Sequence, residues 1–315
     1  METRRLGNSD LEITRIGFGA WAIGGGGWQF AWGVQDDRES IEAIHRALEC
    51  GMNWIDTAPA YGTGHSEEIV AQALKDWKGS RPYVFTKCGL TWDEKRNIVP
   101  NITPASIRKE CEDSLNRLQV DCIDLYQIHW PKDELKEAED AWSTVVKLKE
   151  EGKIRWGGVS NFSAEEMECC QKIAPVTSLQ PPYSLVKPDV EKSELPFCLK
   201  NGIGVIVYAP MASGLLTGAM TKERATQLPE GDWRSRNPEF QEPKLTKNLA
   251  IVERLRKVAA RHNCSPGEVA IAWTLLNPAV TAAIVGARSA QQVDGICKGA
   301  NIKLSAGDIA EITSV

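Results

Sequence analysis

The sequence contains no run of 18 apolar residues, no block of lysine or arginine, no CxxC pair of cysteines and only four histidines. Each absence argues against a class of function. Without a long apolar run, no segment is expected to span a membrane. A net charge of −5 with no basic stripe leaves little to hold nucleic acid or an anionic membrane surface. The nine cysteines, at 50, 88, 111, 122, 169, 170, 198, 264 and 297, are scattered and odd in number, so they read as reduced packing residues. His45, His65, His129 and His262 form neither HxH nor HExxH, so no metal is expected. No GxSxG occurs, which disfavours a serine hydrolase. The run Gly24-Gly25-Gly26-Gly27 fails the GxGxxG spacing because Gln29 stands where the third glycine would fall, and it reads as a flexible flap. The opening METRRLGNSD has no charged leader ahead of an apolar stretch, and a cytoplasmic protein with a small-molecule partner is expected.

What the 315 residues do contain is alternation, in a chain that is 42% apolar and 25% charged. Short apolar runs at 13–19, 53–56, 84–87, 123–128, 155–160, 177–180, 204–208 and 282–285 predict strands. Between and after them, amphipathic segments near 38–50, 66–75, 104–118, 137–150, 163–173, 192–201, 246–276 and 289–298 predict helices. Helix starts are marked by Ser66 ahead of Glu67-Glu68, Thr103 before Pro104, Ser163 with Glu166, and Ser265 before Pro266. Near-continuously apolar strands are covered on both faces, so eight such units predict a closed parallel (β/α)8 barrel forming one domain over 1–315. An open doubly wound sheet is the alternative. RRLGNSDLEI predicts an N-terminal β-hairpin turning at Asn8 or Ser9, placed to plug the barrel bottom. The stretch 218–246, rich in Gly, Pro and charge, is long for a connection and reads as a lid or a disordered loop.

In such a barrel the working face is built from the C-terminal ends of the strands. The second strand ends at Asp56, the third at Lys87 and the fourth at His129, and Tyr61 follows on the loop after the second. Taken singly these have ordinary explanations: Asp56 could cap the turn that Pro59 and Gly62 require, Lys87 could snorkel outward, and His129 could be a satisfied core histidine. Jointly they fit a site better, because an ammonium buried at a strand end needs a counter-charge and the adjacent strand offers Asp56 at the same height. An ammonium near Tyr61 would lower the phenol from its ordinary pKa of about 10, with Asp56 holding Lys87 and His129 donating to a substrate oxygen. The set reads as an acid aimed at a carbonyl.

Two stretches read as anion cradles: Tyr208-Ala209-Pro210-Met211-Ala212-Ser213-Gly214-Leu215, and Val285-Gly286-Ala287-Arg288-Ser289. Arg288 beside a helix start suits a phosphate monoester, although an exposed surface arginine is an equal alternative. Six of the eleven tryptophans, Trp21, Trp28, Trp32, Trp92, Trp130 and Trp233, fall on the expected loop face, as an aromatic-walled pocket would require.

With these residues in view, the chain resembles the aldo-keto reductase family along nearly its whole length. The resemblance rests on Asp56-Thr57-Ala58 with Tyr61-Gly62 and Ser66-Glu67, Lys87-Cys88-Gly89, Asp124-Leu125-Tyr126-Gln127-Ile128-His129-Trp130-Pro131 and Gly158-Val159-Ser160-Asn161-Phe162. It extends through Gln180-Pro181-Pro182-Tyr183-Ser184, the Tyr208 loop and Ile284-Val285-Gly286-Ala287-Arg288-Ser289. It implies a TIM barrel and an NADPH-dependent reductase of aldehydes, with ketones as a second substrate class, and with Asp56, Tyr61, Lys87 and His129 as catalytic tetrad and Tyr61 as proton donor. It implies that Trp21, Asp56, Ser160, Asn161 and Gln180 hold the nicotinamide, with the ring stacked on Tyr208. The pyrophosphate would lie along Ala209, Pro210, Met211, Ser213, Gly214 and Leu215. Gly286, Arg288 and Gln292 would face the adenosine 2′-phosphate end. Trp21, Trp28, Trp32, Tyr61, Trp92, His129 and Trp130 would line the substrate pocket. Members often carry an acidic residue and an Asn one turn beyond the arginine loop, where this chain has Gly295-Ile296. The resemblance also admits a cofactor-sensing accessory module with slow turnover.

Overall fold

The computed structural model describes every residue except Asp133 and Val315. The chain begins with the antiparallel hairpin of β1 (Thr3–Arg5) and β2 (Glu12–Thr14). The remaining strands are β3 (Ile16–Gly19), β4 (Trp54–Asp56), β5 (Tyr83–Cys88), β6 (Leu90–Trp92), β7 (Ile98–Pro100), β8 (Ile123–Ile128), β9 (Ile154–Ser160), β10 (Ser178–Gln180), β11 (Gly204–Val207) and β12 (Val280–Gly286). Eight of them close a parallel barrel in the order β10-β11-β12-β3-β4-β5-β8-β9, and β6 and β7 form a second hairpin outside it. This is the (β/α)8 architecture that the alternation predicts. The open sheet is excluded, because every barrel strand has neighbours on both sides.

Eleven α-helices of the described residues cover and extend the barrel: α1 (Asp37–Glu49), α2 (His65–Asp76), α3 (Pro104–Leu118), α4 (Leu135–Glu150), α5 (Ala164–Gln171), α6 (Glu194–Asn201), α7 (Lys222–Thr226), α8 (Lys244–His262), α9 (Pro266–Thr274), α10 (Ala290–Asp294) and α11 (Ala306–Thr313). None is long and apolar enough to cross a membrane. Two starts carry the expected caps: the Ser163 and Ser265 side chains accept from the amides of Glu166 and Glu268, whose carboxylates reach back to the cap residue's own amide. Thr103 stands at the cap of α3 without a side-chain bond, and Ser66 lies inside α2, which Gly64 caps, and donates to the Ala20 carbonyl instead.

Three expectations need correction. The strand expected at 13–19 divides at Arg15, which is buried with no carboxylate partner among the described residues and donates to the carbonyls of Leu275, Thr281 and Val280 at 2.7, 2.7 and 2.9 Å. Feeding those carbonyls turns the chain out of the hairpin and into the barrel. The helix expected at 246–276 is two helices, because Asn263 adopts a left-handed φ of 50° and Ser265 starts α9 afresh. The stretch 218–246 carries α7 and two 3₁₀ turns, Trp233–Arg236 and Pro238–Phe240. Met220, Phe240 and Leu245 pack it onto Leu215.

The hairpin does plug the barrel. Leu6, Leu11 and Ile13 are fully buried and pack with Trp54, Phe85, Leu125, Ile206, Ala282 and Ile284, a layer drawn from five barrel strands. Its turn presses so close to β10 and β11 that a Cβ on Gly7, where φ is +53°, would lie 2.2 Å from the Thr177 carbonyl oxygen. The Ser9 hydroxyl closes the turn by donating to the Leu6 carbonyl at 2.6 Å. Leu11→Ala, which hollows this floor, should lower the unfolding free energy by about 2–5 kcal/mol in urea titrations. Coenzyme affinity should stay unchanged.

Candidate active site

Polar side chains gather where the apolar strands β4, β5 and β8 run out. Asp56 is the last residue of β4, Lys87 the penultimate residue of β5, and His129 follows the end of β8. Lys87 is fully buried, and its Nζ donates to Asp56 Oδ1 at 2.6 Å, to the Thr57 carbonyl at 2.9 Å and to the Tyr61 hydroxyl at 3.3 Å. Tyr61 is half-buried, its ring 5.8 Å from the His129 ring and edge-on to it. The four expected catalytic residues therefore come together.

Burial lowers the Lys87 pKa, and the charges of Asp56 and Glu67 pull it back up. Burial, with the Lys87 charge behind it, holds the His129 imidazole well below its ordinary value, so the ring is neutral. Its Nδ1 is buried without a hydrogen-bond partner among the described residues. The expectation of an acidified Tyr61 is corrected: burial, and secondly the Asp56 charge, push the phenol well above its ordinary range. Loss of water around the phenol outweighs the ammonium 3.3 Å away, and Asp56, 2.6 Å from Nζ, further offsets that charge. Tyr61 is a neutral phenol whose proton is in place.

A second ring of groups supports the first. Asp56 Oδ2 accepts from Gln180 Nε2 at 2.8 Å and from Gln127 Nε2 at 3.3 Å, and Gln180 Nε2 also donates to Gln127 Oε1 at 3.2 Å. The Asn161 amide donates to the His129 carbonyl at 2.9 Å and to Ser160 Oγ at 3.0 Å, while the Tyr208 hydroxyl donates to Asn161 Oδ1 at 2.8 Å. Asn161 holds this position with φ of 62°. Ser160, Asn161, Gln180 and Tyr208 thus form one wall beside the Asp56–Lys87 pair.

The loop after β11 turns back on itself with four left-handed residues, Ala209, Ala212, Ser213 and Gly214, a backbone form that exposes amides to an anion. Pro210, Met211 and Leu215 complete it. Across the mouth, Gly286 ends β12, and the Arg288 amide donates to Gln292 Oε1 at 2.8 Å. The Arg288 side chain is not a solvated surface charge. Its Nε donates to Gln35 Oε1 at 2.6 Å, Nη1 to the Trp32 carbonyl at 3.3 Å, and Nη2 to the Val34 carbonyl. Three of its five N–H donors are engaged, which leaves two.

The tryptophans divide. Trp21 stacks on Tyr61 and on Trp233 at 6.3 and 5.0 Å, Trp32 meets Trp21 edge-on at 5.4 Å, and Trp28 lies 6.4 Å from Tyr61. Trp92, at the end of β6, and Trp130, 47% exposed, make no ring contact with this cluster among the described residues. The glycine run is packed at Gly24, where a Cβ would lie 2.9 Å from the Gly62 nitrogen and from the Tyr61 carbonyl carbon. Its continuation is clasped by the long loop, with the Trp233 amide donating to the Ala31 carbonyl at 3.0 Å and Arg236 to the Gln29 carbonyl at 2.8 Å.

Several contributors escaped the sequence reading. Arg234, itself half-buried, pairs with the buried Asp232, lies 4.6 Å over the Trp32 ring and reaches the Ser213 carbonyl at 3.5 Å, beside the left-handed turn. Gln127 had a visible signal, a polar residue inside the apolar run 123–128. Among the described residues no cluster of three or more His, Cys, Asp or Glu is placed to hold a metal. Glu110, on α3, is buried, and its Oε2 accepts from the Gly89 amide at 2.9 Å just beyond Lys87-Cys88. Burial pushes its carboxyl from 4.5 up to about 7. The folded chain then holds a proton that the unfolded chain has lost between about pH 4.5 and 7, so this group makes stability fall as pH rises through that window, by at most about 1.4 kcal/mol per unit. Glu110→Gln should remove that slope from unfolding curves recorded against pH.

Comparison with known proteins places this geometry in a lineage. The profile of the Aldo/keto reductase family matches residues 15–315. Aldo-keto reductase YhdN of Bacillus subtilis (strain 168) is 40% identical over 318 residues, spanning 100% of this chain and 93% of that protein. The NADH-specific methylglyoxal reductase of Escherichia coli (strain K12) is 37% identical, covering 96% and 94%. Among solved structures, the glycerol dehydrogenase AKR11B4 from Gluconobacter oxydans superimposes with a TM-score of 0.88 at 40% identity, covering 99% of this chain and 94% of that one.

Proposed function

Because the chain belongs to the aldo-keto reductase family, an oxidoreductase family acting on carbonyls, we propose that it reduces small aldehydes, and some ketones, with NADPH. The observation that carries the reading is Lys87 Nζ, held by Asp56 at 2.6 Å and standing 3.3 Å from the Tyr61 hydroxyl beside a neutral His129. Bound as reduced coenzyme, the nicotinamide supplies a hydride to the carbonyl carbon. Tyr61 gives its proton to the carbonyl oxygen, and the Lys87 ammonium stabilises the phenolate left behind. His129 donates an N–H to the same oxygen and fixes its place. A neutral imidazole suits this role, since it leaves Tyr61 as the acid.

The chain's own residues fit the coenzyme. Ser160, Asn161 and Gln180 present amide and hydroxyl groups to a carboxamide, the Tyr208 ring offers a stacking face, and the left-handed turn at Ala209–Gly214 accommodates a pyrophosphate with Arg234 alongside. Arg288 retains two donors, the number a phosphate takes in a bidentate pair. That favours NADPH, although the similar E. coli protein is NADH-specific. A pocket walled by Trp21, Trp28 and Trp32 around Tyr61 favours slim carbonyl compounds, and the names of two similar proteins, acting on methylglyoxal and glycerol, point the same way.

Tyr61→Phe should retain coenzyme affinity and lose most turnover, roughly a hundredfold or more as expected for a removed general acid; an aldehyde reduced at the parent rate would refute Tyr61 as donor. Arg288→Ala should weaken NADPH by about tenfold to a hundredfold while moving NADH little. Titrating both coenzymes against the tryptophan fluorescence reads this, and equal losses would remove the 2′-phosphate role.

A further inference from the structure

Gln127 has no part in the roles proposed so far, yet it is fully buried at the centre of the barrel. It stands on β8, in register with Lys87 on β5 and with Gly158 on β9. Its amide meets Gln180, which lies on β10, beyond β9. Gly158 leaves the space that this crossing needs: a Cβ there would lie 3.3 Å from Gln127 Cγ and 2.3 Å from Ser178 Oγ. One buried amide therefore ties β4, β8 and β10 together through Asp56 and Gln180.

The chemistry of this triad fixes which way round each amide sits. An ionised carboxylate only accepts, so Gln127 and Gln180 must both turn their NH₂ groups toward Asp56 Oδ2, at 3.3 and 2.8 Å. The second hydrogen of Gln180 Nε2 then meets Gln127 Oε1 at 3.2 Å. Both hydrogens of the Gln180 amide are engaged inside the barrel, and its Oε1 has no hydrogen-bond partner among the described residues. Were Gln180 flipped, its oxygen would face the Asp56 carboxylate and the Gln127 carbonyl, two acceptors at once.

We infer that Gln127 is a positioning residue: Asp56 dictates which way round the Gln180 amide sits, and Gln127, taking its second hydrogen, fixes the plane in which the carbonyl oxygen faces the nicotinamide carboxamide and reads that group's N–H. This rests on the placement of the nicotinamide against Gln180 proposed above. Gln127 touches neither coenzyme nor substrate. Its effect passes through Gln180, and the same amide holds Asp56, the partner of Lys87. Coenzyme recognition and the charge behind the proton donor thereby share one side chain.

The test compares NADP⁺ with 3-acetylpyridine adenine dinucleotide phosphate, in which a methyl group replaces the carboxamide NH₂, by calorimetric titration of the intact protein. The parent should bind NADP⁺ about five to ten times more tightly, the value of one neutral hydrogen bond. Gln127→Met should bring that ratio down to about twofold or less, because the Gln180 amide, left on the Asp56 bond alone, swings out of line with the carboxamide; Gln127→Leu serves if the first variant is insoluble. A merely structural role would weaken both ligands together and leave the ratio alone. Gln180→Met separates the two readings. If it erases the ratio while the Gln127 variants keep the parent value, the nicotinamide placement stands and this inference falls. If Gln180→Met itself leaves the ratio unchanged, the placement fails and the inference goes with it.

Discussion

The structure depends on one buried charge pair. Removing an ammonium and a carboxylate from water is costly unless each finds partners inside, and leaving either alone costs about 3–5 kcal/mol. Lys87 and Asp56 meet that condition through the Thr57 carbonyl and two glutamine amides. Much of the local architecture follows from it. β5 must run past the point where Asp56 pairs with Phe85 so that Lys87 reaches the carboxylate from two residues further on, a glycine must stand at position 158, and Tyr61 must return from its loop to lie against Nζ. The pair stabilises the fold little in itself; what it provides is a fixed positive charge in a place from which water is largely excluded.

Around that charge, the mouth is closed by segments far apart in sequence. The glycine-rich segment and the loop between β11 and α8 hold one another through backbone hydrogen bonds and the stacked pair Trp21 and Trp233. Arg288 is held by the carbonyls of Trp32 and Val34 on the first of these. The indoles near Tyr61 and the guanidinium at the far end of the cleft thus belong to one covering, so the shape of the aromatic end and the charge at the cationic end are mechanically joined.

The barrel, and the gathering of polar side chains at its mouth, are legible in the sequence because both obey local rules. Apolar runs punctuated by capping residues give the alternation, and a polar residue closing an apolar run marks a strand end at the mouth. Asp56, Lys87 and His129 were found that way. What local rules do not carry is the reach of one segment to another. Arg234 and Trp233 lie in a stretch whose composition suggested only a lid, and their positions depend on Phe240 and Leu245 packing that stretch down. The division at Arg15 was hidden because its partners are carbonyls some 260 residues away, in a run otherwise apolar. Gln127 was visible as a misplaced polar residue, but its partners are set by barrel closure. The upward shift of the Tyr61 phenol is not legible in the sequence because it depends first on burial under distant segments and only then on the carboxylate that accompanies Lys87.

The hairpin that closes the opposite end has its own implication. With Leu6, Leu11 and Ile13 sealing the bottom against Trp54, Phe85 and Leu125, the cohesion of the barrel axis is secured well below the reacting groups. The loops around the opening are thereby relieved of holding the strands together. Evolution can lengthen, shorten or re-letter them to suit a new carbonyl compound while the same cylinder persists underneath.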